Sequence, residues 1–273
     1  NEGVKKAKTD YIISLDNDIV TVPDWIEKLV KKLESNPELA IVGSPYTNVG
    51  ELYVKRVEER YVINFLGELV PTKHPIKSFT FYADAGALIY KKSVMGLPYD
   101  PDFNFLFEDV YMSGRAWISG HKVEMADTMV DHIGGLTRTG INVIWEFSGE
   151  RNRLYCLFLL YSKKTLLKIS PLLAFQILLT LISSTIKLRV HVRVKSYWWF
   201  IQNWKKVVAH RKRIQAMRKK PDQVLFDHMT YKIRYNIPVI KQVGNAFMWL
   251  YCFVLRIKTF DLYGSPKHKN DRK

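Results

Sequence analysis

The run Tyr11-Ile12-Ile13-Ser14-Leu15-Asp16-Asn17-Asp18 constrains this chain more than any other stretch. Its first five residues, mostly apolar with isoleucine at the centre, read as a buried strand. The strand stops abruptly at two carboxylates one residue apart. A turn follows, and Pro23-Asp24-Trp25 then opens a helix with proline in its first turn. In an open α/β sheet, ligands bind beyond the carboxyl ends of the strands. Two acids placed there make a concentrated negative site suited to a hard divalent cation. The plainer alternative is a pair of loop acids capping the next helix.

Beyond this stretch, Trp25, Ile26, Leu29, Val30 and Leu33 recur at helical spacing, with Lys28, Lys31 and Lys32 on the other face. Asn36-Pro37 ends that helix and Leu39-Ala40-Ile41-Val42-Gly43 reads as a second buried strand, so strand, helix and strand form a βαβ unit of a parallel sheet. Residues 46–50 and 71–75 read as loop, and 54–66 as helix. Residues 79–82 and 84–90 read as strands, the second with small residues at its start that leave room for a ligand. Phe105-Leu106-Phe107 then delivers Glu108-Asp109 to a helix start, and Gly120 stops that helix. Short strands are expected at 121–125 and 129–131, ending on His132-Ile133-Gly134-Gly135.

Three motifs therefore stand in a fixed order: Asp16-Asn17-Asp18, Glu108-Asp109, and His132 before a glycine pair. With the leading Asn1-Glu2-Gly3 and the later Arg151-Asn152, the set resembles the family 2 glycosyltransferases of the GT-A fold, and among them the rhamnosyltransferase-like enzymes of surface polysaccharide and glycan assembly. The likeness covers residues 1 to about 160. It implies that Asp16 and Asp18 lie beside the diphosphate of a nucleotide-sugar and its Mg²⁺ or Mn²⁺, with His132 closing the metal side. It implies Asp109 as the general base with Glu108 beside it, and transfer with inversion. Family members begin with a strand–helix–strand half that grips the nucleoside, so the resemblance also implies an N-terminally truncated domain. One departure is Tyr111, where relatives often carry a further acid.

The chemistry of such a transfer agrees with these roles. Departing phosphates need a cation, and the acceptor hydroxyl needs a base within hydrogen-bond reach. An aspartate near Phe105 and Phe107 would have its pKa raised by desolvation. Each residue also has a structural alternative: Glu108 and Asp109 as first-turn acids favoured by the helix dipole, His132 as a satisfied structural histidine, Arg115 as a helix-surface or salt-bridge residue. Asp84 and Gly86 are candidates for the acceptor pocket, with packing as the alternative.

The net charge of +16 hides an asymmetry. Residues 1–150 hold 16 Lys and Arg against 22 Asp and Glu, a net −6, whereas residues 151–273 hold 26 against 4, a net +22. A basic half of this kind meets a polyanion, either nucleic acid or an anionic membrane surface. Residues 169–186 are uncharged, long enough to span a membrane and equally suited, through Gln176 and Ser183-Ser184-Thr185, to lie in its interface. Residues 243–255 read as interfacial or packed. Between the two, Tyr197-Trp198-Trp199 and Trp204 adjoin Lys205-Lys206, Arg211-Lys212-Arg213 and Arg218-Lys219-Lys220, the composition of a headgroup-level belt on the cytoplasmic side. Cys156 and Cys252 lie in separate apolar runs without metal-ligand spacing and read as buried free thiols.

The fold expected is α/β: a GT-A (Rossmann-like), mostly parallel sheet flanked by helices in residues 1–143, then a basic, membrane-associated α-helical region in 144–263 and a disordered tail in 264–273. The expected partners are a nucleotide-sugar donor, a lipid-linked or glycan acceptor and a membrane surface. Nucleic acid is disfavoured because a soluble binder of it would expose few long apolar runs. A non-catalytic membrane- or nucleic-acid-binding basic protein and a metal-dependent nucleotidyltransferase are the alternatives.

Overall fold

A computed structural model describes residues 1–50, 53–57, 61–71, 80–133, 142–234 and 237–263. The chain begins with α1 (Glu2–Lys6), β1 (Tyr11–Leu15), β2 (Ile19–Val20), α2 (Trp25–Glu34) and β3 (Leu39–Gly43). Next come β4 (Tyr46–Gly50), β5 (Tyr53–Val57), β6 (Tyr61–Ile63), β7 (Leu69–Pro71), β8 (Ala87–Lys91) and α3 (Lys92–Met95). Helix α4 (Glu108–Ile118) precedes β9 (Lys122–Met125) and β10 (Val130–His132). The remainder is helical: α5 (Asn142–Leu160), α6 (Lys163–Ile186), α7 (Val190–Gln202), α8 (Trp204–Ala216), α9 (Gln223–Phe226), α10 (Pro238–Leu255) and α11 (Phe260–Tyr263).

The central sheet has the order β1-β8-β3-β9 and is mixed, not mostly parallel. Strands β1 and β3 are joined through α2 as expected, but β8 inserts between them and runs antiparallel to both; only β3 and β9 pair in parallel. Burial drives the insertion, since Ala87, Leu88, Ile89 and Tyr90 are all at most 2% exposed and need cover on both faces. The pleat splits them. Ala87 and Ile89 join Trp25, Leu29 and Leu33 of α2, while Leu88 and Tyr90 face the cluster that holds Met112 and Ala116 of α4. A second sheet, β2-β10-β4-β5, lies at the end where β1 stops, with His132 in register with Ile19.

Several local expectations are overturned. Residues 46–50 form strand, not loop, and the helix expected over 54–66 is replaced by β5 and β6, because Tyr53, Val54, Val57, Tyr61, Val62 and Ile63 are β-branched or aromatic residues suited to a pleated surface. Pro71 belongs to β7. Thr80–Tyr82 is irregular: the Phe81 carbonyl accepts from Trp117 Nε1 at 2.7 Å instead of from a neighbouring strand. Asp84–Gly86 is a turn before β8, closed by Gly86 N–H donating to Asp84 Oδ1 at 2.9 Å. Gly134-Gly135, residues 72–75, Phe79 and the tail 264–273 lie outside the described residues.

The helical half shares the core of the sheet. One apolar cluster takes in Ile41, Leu88, Met112, Tyr155, Leu159, Val207, Ile214, Met248 and Cys252, so α5, α8 and α10 continue the packing begun by α4. Both cysteines are free and buried. Helix α6 is long and apolar enough to cross a membrane, and only 17% of its apolar window is covered by the rest of the described chain, unlike a core helix.

Candidate active site

The antiparallel entry of β8 gathers the acids. Leu15 at the end of β1 pairs with Ala87 at the start of β8, and Gly43 at the end of β3 pairs with Leu88. Asp16, which follows β1, and Asp84, which precedes β8, therefore meet at one end of the sheet. Asp16 N–H donates to the Gly86 carbonyl at 2.9 Å. A side chain on Gly86 would put its Cβ 2.8 Å from Asp16 Oδ2 and 3.2 Å from Asp84 Oδ1. Glycine at this place lets both carboxylates face the same space. On the other side the second sheet brings His132 Nε2 to 3.3 Å from Asp18 Oδ2, while Asp18 O accepts from Ile133 N–H at 2.8 Å.

Glu108 and Asp109 open α4 in the same neighbourhood, and the charges record it. Partial burial lifts the Asp16 carboxyl above its ordinary range, Asp18 lifts it further and His132 opposes. Burial raises Asp84 as well, against the pull of the Gly86 N–H, with Asp16 adding to the rise. Burial, then Asp84, then Glu108 hold Asp109 well above the usual carboxylate range, although Val110 N–H donates to its Oδ1 at 2.7 Å. Burial raises Glu108, with Asp84 and Asp16 contributing; its Oε2 is buried and has no hydrogen-bond partner among the described residues. Acids present only to complement a helix dipole would be held in their charged form. These are pushed the other way, first by burial and then by one another. Tyr82 stands in the same field, raised by burial and by Asp109 and Asp84. Together with Ser44, Tyr46, Tyr61, Thr80 and Asp84 it lines a pocket beside the acids.

Residues 1–96 match the glycosyl transferase family 2. No curated protein matches the chain. The matched segment carries Asp16, Asp18, Asp84 and Gly86 and ends before Glu108 and Asp109. The match supports a glycosyltransferase in general. Glycosyl transferase family 2 chemistry commonly uses a divalent metal; Asp16, Asp18 and His132 are donor types such a metal takes, with His132 Nε2 beside Asp18, but their ligand atoms do not form a group gathered within 4.8 Å.

Among the described residues the group that does gather is Asp100, Asp102 and His210, whose three ligand atoms lie within 4.8 Å of one another and could hold a metal ion. Its atoms have protein partners. His210 Nε2 lies 3.0 Å from Tyr111 Oη and 3.2 Å from Asp100 Oδ2, His210 Nδ1 lies 2.7 Å from Tyr155 Oη, and Lys206 pairs with Asp102. Burial holds His210 below its ordinary range, against Asp100. Residues 99–103, Tyr-Asp-Pro-Asp-Phe, have the composition of a turn, and nothing local links them to a histidine in a basic helix. The Nε2 contact also occupies Tyr111, the residue that stands where the resemblance implies a further acid. Arg115 is buried rather than on the helix surface, and its guanidinium donates to the carbonyls of Met95 and Leu97.

Proposed function

We propose that the chain is an inverting glycosyltransferase that moves a sugar from a nucleotide-diphosphate sugar to a lipid-linked or cell-surface glycan acceptor, of the rhamnosyltransferase-like kind. The observation that carries this reading is the gathering of acids at one end of the sheet: Asp16 and Asp84 meet there beside Gly86, and Glu108 and Asp109 at the start of α4 lie near enough to feel their charge. In this reading Asp109 takes the proton of the acceptor hydroxyl as that oxygen bonds to the anomeric carbon. The bond to the diphosphate breaks, its electron pair leaves with the nucleoside diphosphate, and attack from the opposite face inverts the centre. Glu108 keeps Asp109 basic by like charge. Asp84 and Gly86 line the acceptor side. Asp16, Asp18 and His132 would hold a Mg²⁺ or Mn²⁺, which would supply positive charge against the departing diphosphate.

The basic half is assigned to the cytoplasmic face of a membrane and not to nucleic acid. Its support is the joint exposure of apolar and basic residues: Leu178 and Ile182 on α6, Trp198 on α7, and Val243, Phe247 and Leu250 on α10 are all about half exposed or more. The test is nucleotide release from UDP-, GDP- and dTDP-sugars in anionic lipid with Mn²⁺ or Mg²⁺, comparing the parent chain with Asp109→Asn and Asp18→Asn. Metal-dependent release lost in both variants is the expected result, with the chain floating on anionic but not neutral vesicles. Release untouched by Asp109→Asn refutes the base assignment.

A further inference from the structure

The two residues before the catalytic pair are strained. Leu106 and Phe107 have φ of 67° and 69°, the left-handed region that side-chain-bearing residues avoid, and Phe107 is the N-cap of α4. A pair of such residues persists only where the surroundings hold it. Here the surroundings are one face of α5. Asn152, fully buried, donates through Nδ2 to the carbonyls of both Phe105 and Leu106, at 2.8 and 2.7 Å. One turn on, Cys156 Sγ donates to the Phe107 carbonyl at 3.6 Å. The amide of Asn152 is itself oriented, because Arg151 Nε donates to its Oδ1 at 2.7 Å. Arg151 in turn donates to the Asp102 carbonyl at 2.6 Å and lies over the Trp199 ring of α7, 4.9 Å from its centroid. Three consecutive carbonyls ahead of Glu108 thus end on side chains of a helix that the sequence assigns to the basic half.

We infer that Asn152 is a positioning residue for the transfer reaction: its two donated hydrogen bonds hold Leu106 and Phe107 in the left-handed conformation that aims Glu108 and Asp109 at the acid-lined sheet end, with Arg151 fixing the amide. This inference rests on the glycosyl-transfer reading for its catalytic consequence and on backbone geometry alone for the clamp. Without the clamp the pair relaxes toward ordinary φ and the start of α4 shifts. Glycine adopts positive φ without penalty, so Leu106→Gly is expected to restore part of what Asn152→Ala removes.

The experiment compares the parent chain with Asn152→Ala, Asn152→Asp and Asn152→Ala/Leu106→Gly by two readouts. One is nucleotide release. The other is maleimide labelling of Cys156 against Cys252, buried far from the clamp in sequence and serving as the internal control. Asn152→Ala is expected to lower kcat by about 10²-fold with donor KM nearly unchanged, to speed labelling of Cys156 but not of Cys252, and to recover part of both on adding Leu106→Gly. Parental kcat together with parental Cys156 labelling in Asn152→Ala overturns the inference. If Asn152→Ala unfolds the chain, both cysteines label together and Asn152→Asp decides, since it keeps the shape and the Arg151 contact but has no amide hydrogens to donate; parental behaviour of that variant overturns the inference equally. A full-length parent protein that releases no nucleotide from any donor, while Asn152→Ala in it still exposes Cys156, refutes glycosyl transfer and upholds the clamp.

Discussion

Replacing Gly86 by alanine separates the site from the scaffold. The backbone there is not left-handed, so alanine brings no conformational strain, and the Gly→Ala change by itself stabilises by about 0.4–1 kcal/mol through the unfolded chain. Against this stands the new Cβ, 2.8 Å from Asp16 Oδ2, 3.2 Å from Asp16 Cγ and 3.2 Å from Asp84 Oδ1. Ordinary contact needs several tenths of an ångström more. Asp84 is tied to the Gly86 N–H, so the carboxylate that yields is Asp16, which has no backbone atom pressing on it from the alanine. Overpacking of a rigid core costs about 1–3 kcal/mol. A carboxylate that rotates away sits at the bottom of that range, and the two effects leave stability within about 1 kcal/mol of the parent. Activity has no such relief: under the proposed function Asp16 faces the diphosphate, and displacing it is expected to lower turnover by roughly 10²-fold. Thermal unfolding and nucleotide release with a metal titration read both quantities. Parental release at unchanged stability refutes the placement of Asp16 in the site. A rise in acceptor KM alone, with metal and donor dependence intact, moves Gly86 to the acceptor pocket instead. A collapse in stability makes Gly86 a packing residue.

Three further outcomes follow from the same geometry. Asp109 is raised in the folded chain, so as pH rises the unfolded chain loses this proton first; stability falls between the ordinary carboxylate range and the raised value and stays lower above it. Asp109→Asn is therefore expected to raise Tm at pH 8 more than at pH 4 while cutting release by about 10²–10⁴-fold, and the acid limb of the parent's kcat/KM lies above the ordinary carboxylate range; equal Tm gains at both pH values refute the burial argument. Gly114→Ala puts a Cβ 2.4 Å from Leu160 Cδ1 where α4 crosses α5, so it is expected to destabilise by about 1–3 kcal/mol in urea unfolding, with Leu160→Ala in the same chain relieving the clash. Residues 1–143 alone lack the α5, α8 and α10 share of the main apolar cluster, so this fragment is expected to show no cooperative unfolding transition by circular dichroism; a sharp transition would make the fragment an independent folding unit.

What the sequence disclosed was local. Strands β1 and β3 and helices α2 and α4 were legible because each carries its own periodicity and its own stop, such as Gly120 at φ 91°. Strands β5 and β6 were not, because Tyr53 to Ile63 mixes aromatic and β-branched residues with Lys, Arg and Glu at a spacing that also suits a helix. The candidate acids were legible as types and in order. Their meeting was not, since it depends on β8 entering antiparallel between β1 and β3, a pairing across some seventy residues that no local pattern encodes. The same holds for His210, more than a hundred residues from Asp100, and for Asn152, visible in the sequence only as part of a motif.

The sheet order also determines how the two halves of the chain depend on each other. Asp16 and Asp84 are fixed by the paired strands they flank, β1 and β8, the second of which is buried from Ala87 to Tyr90. Glu108 and Asp109 follow an irregular segment, 100–107, which has no strand to hold it. That segment is held instead from the helical side: Arg151, Asn152, Tyr155 and Cys156 of α5 and Lys206 and His210 of α8 all end on it. A sugar transfer needs its base set against its leaving-group site to a fraction of an ångström. In the proposed reading one of those two partners rests on the sheet and the other on α5 and α8, so any force that shifts these helices acts directly on the distance between them.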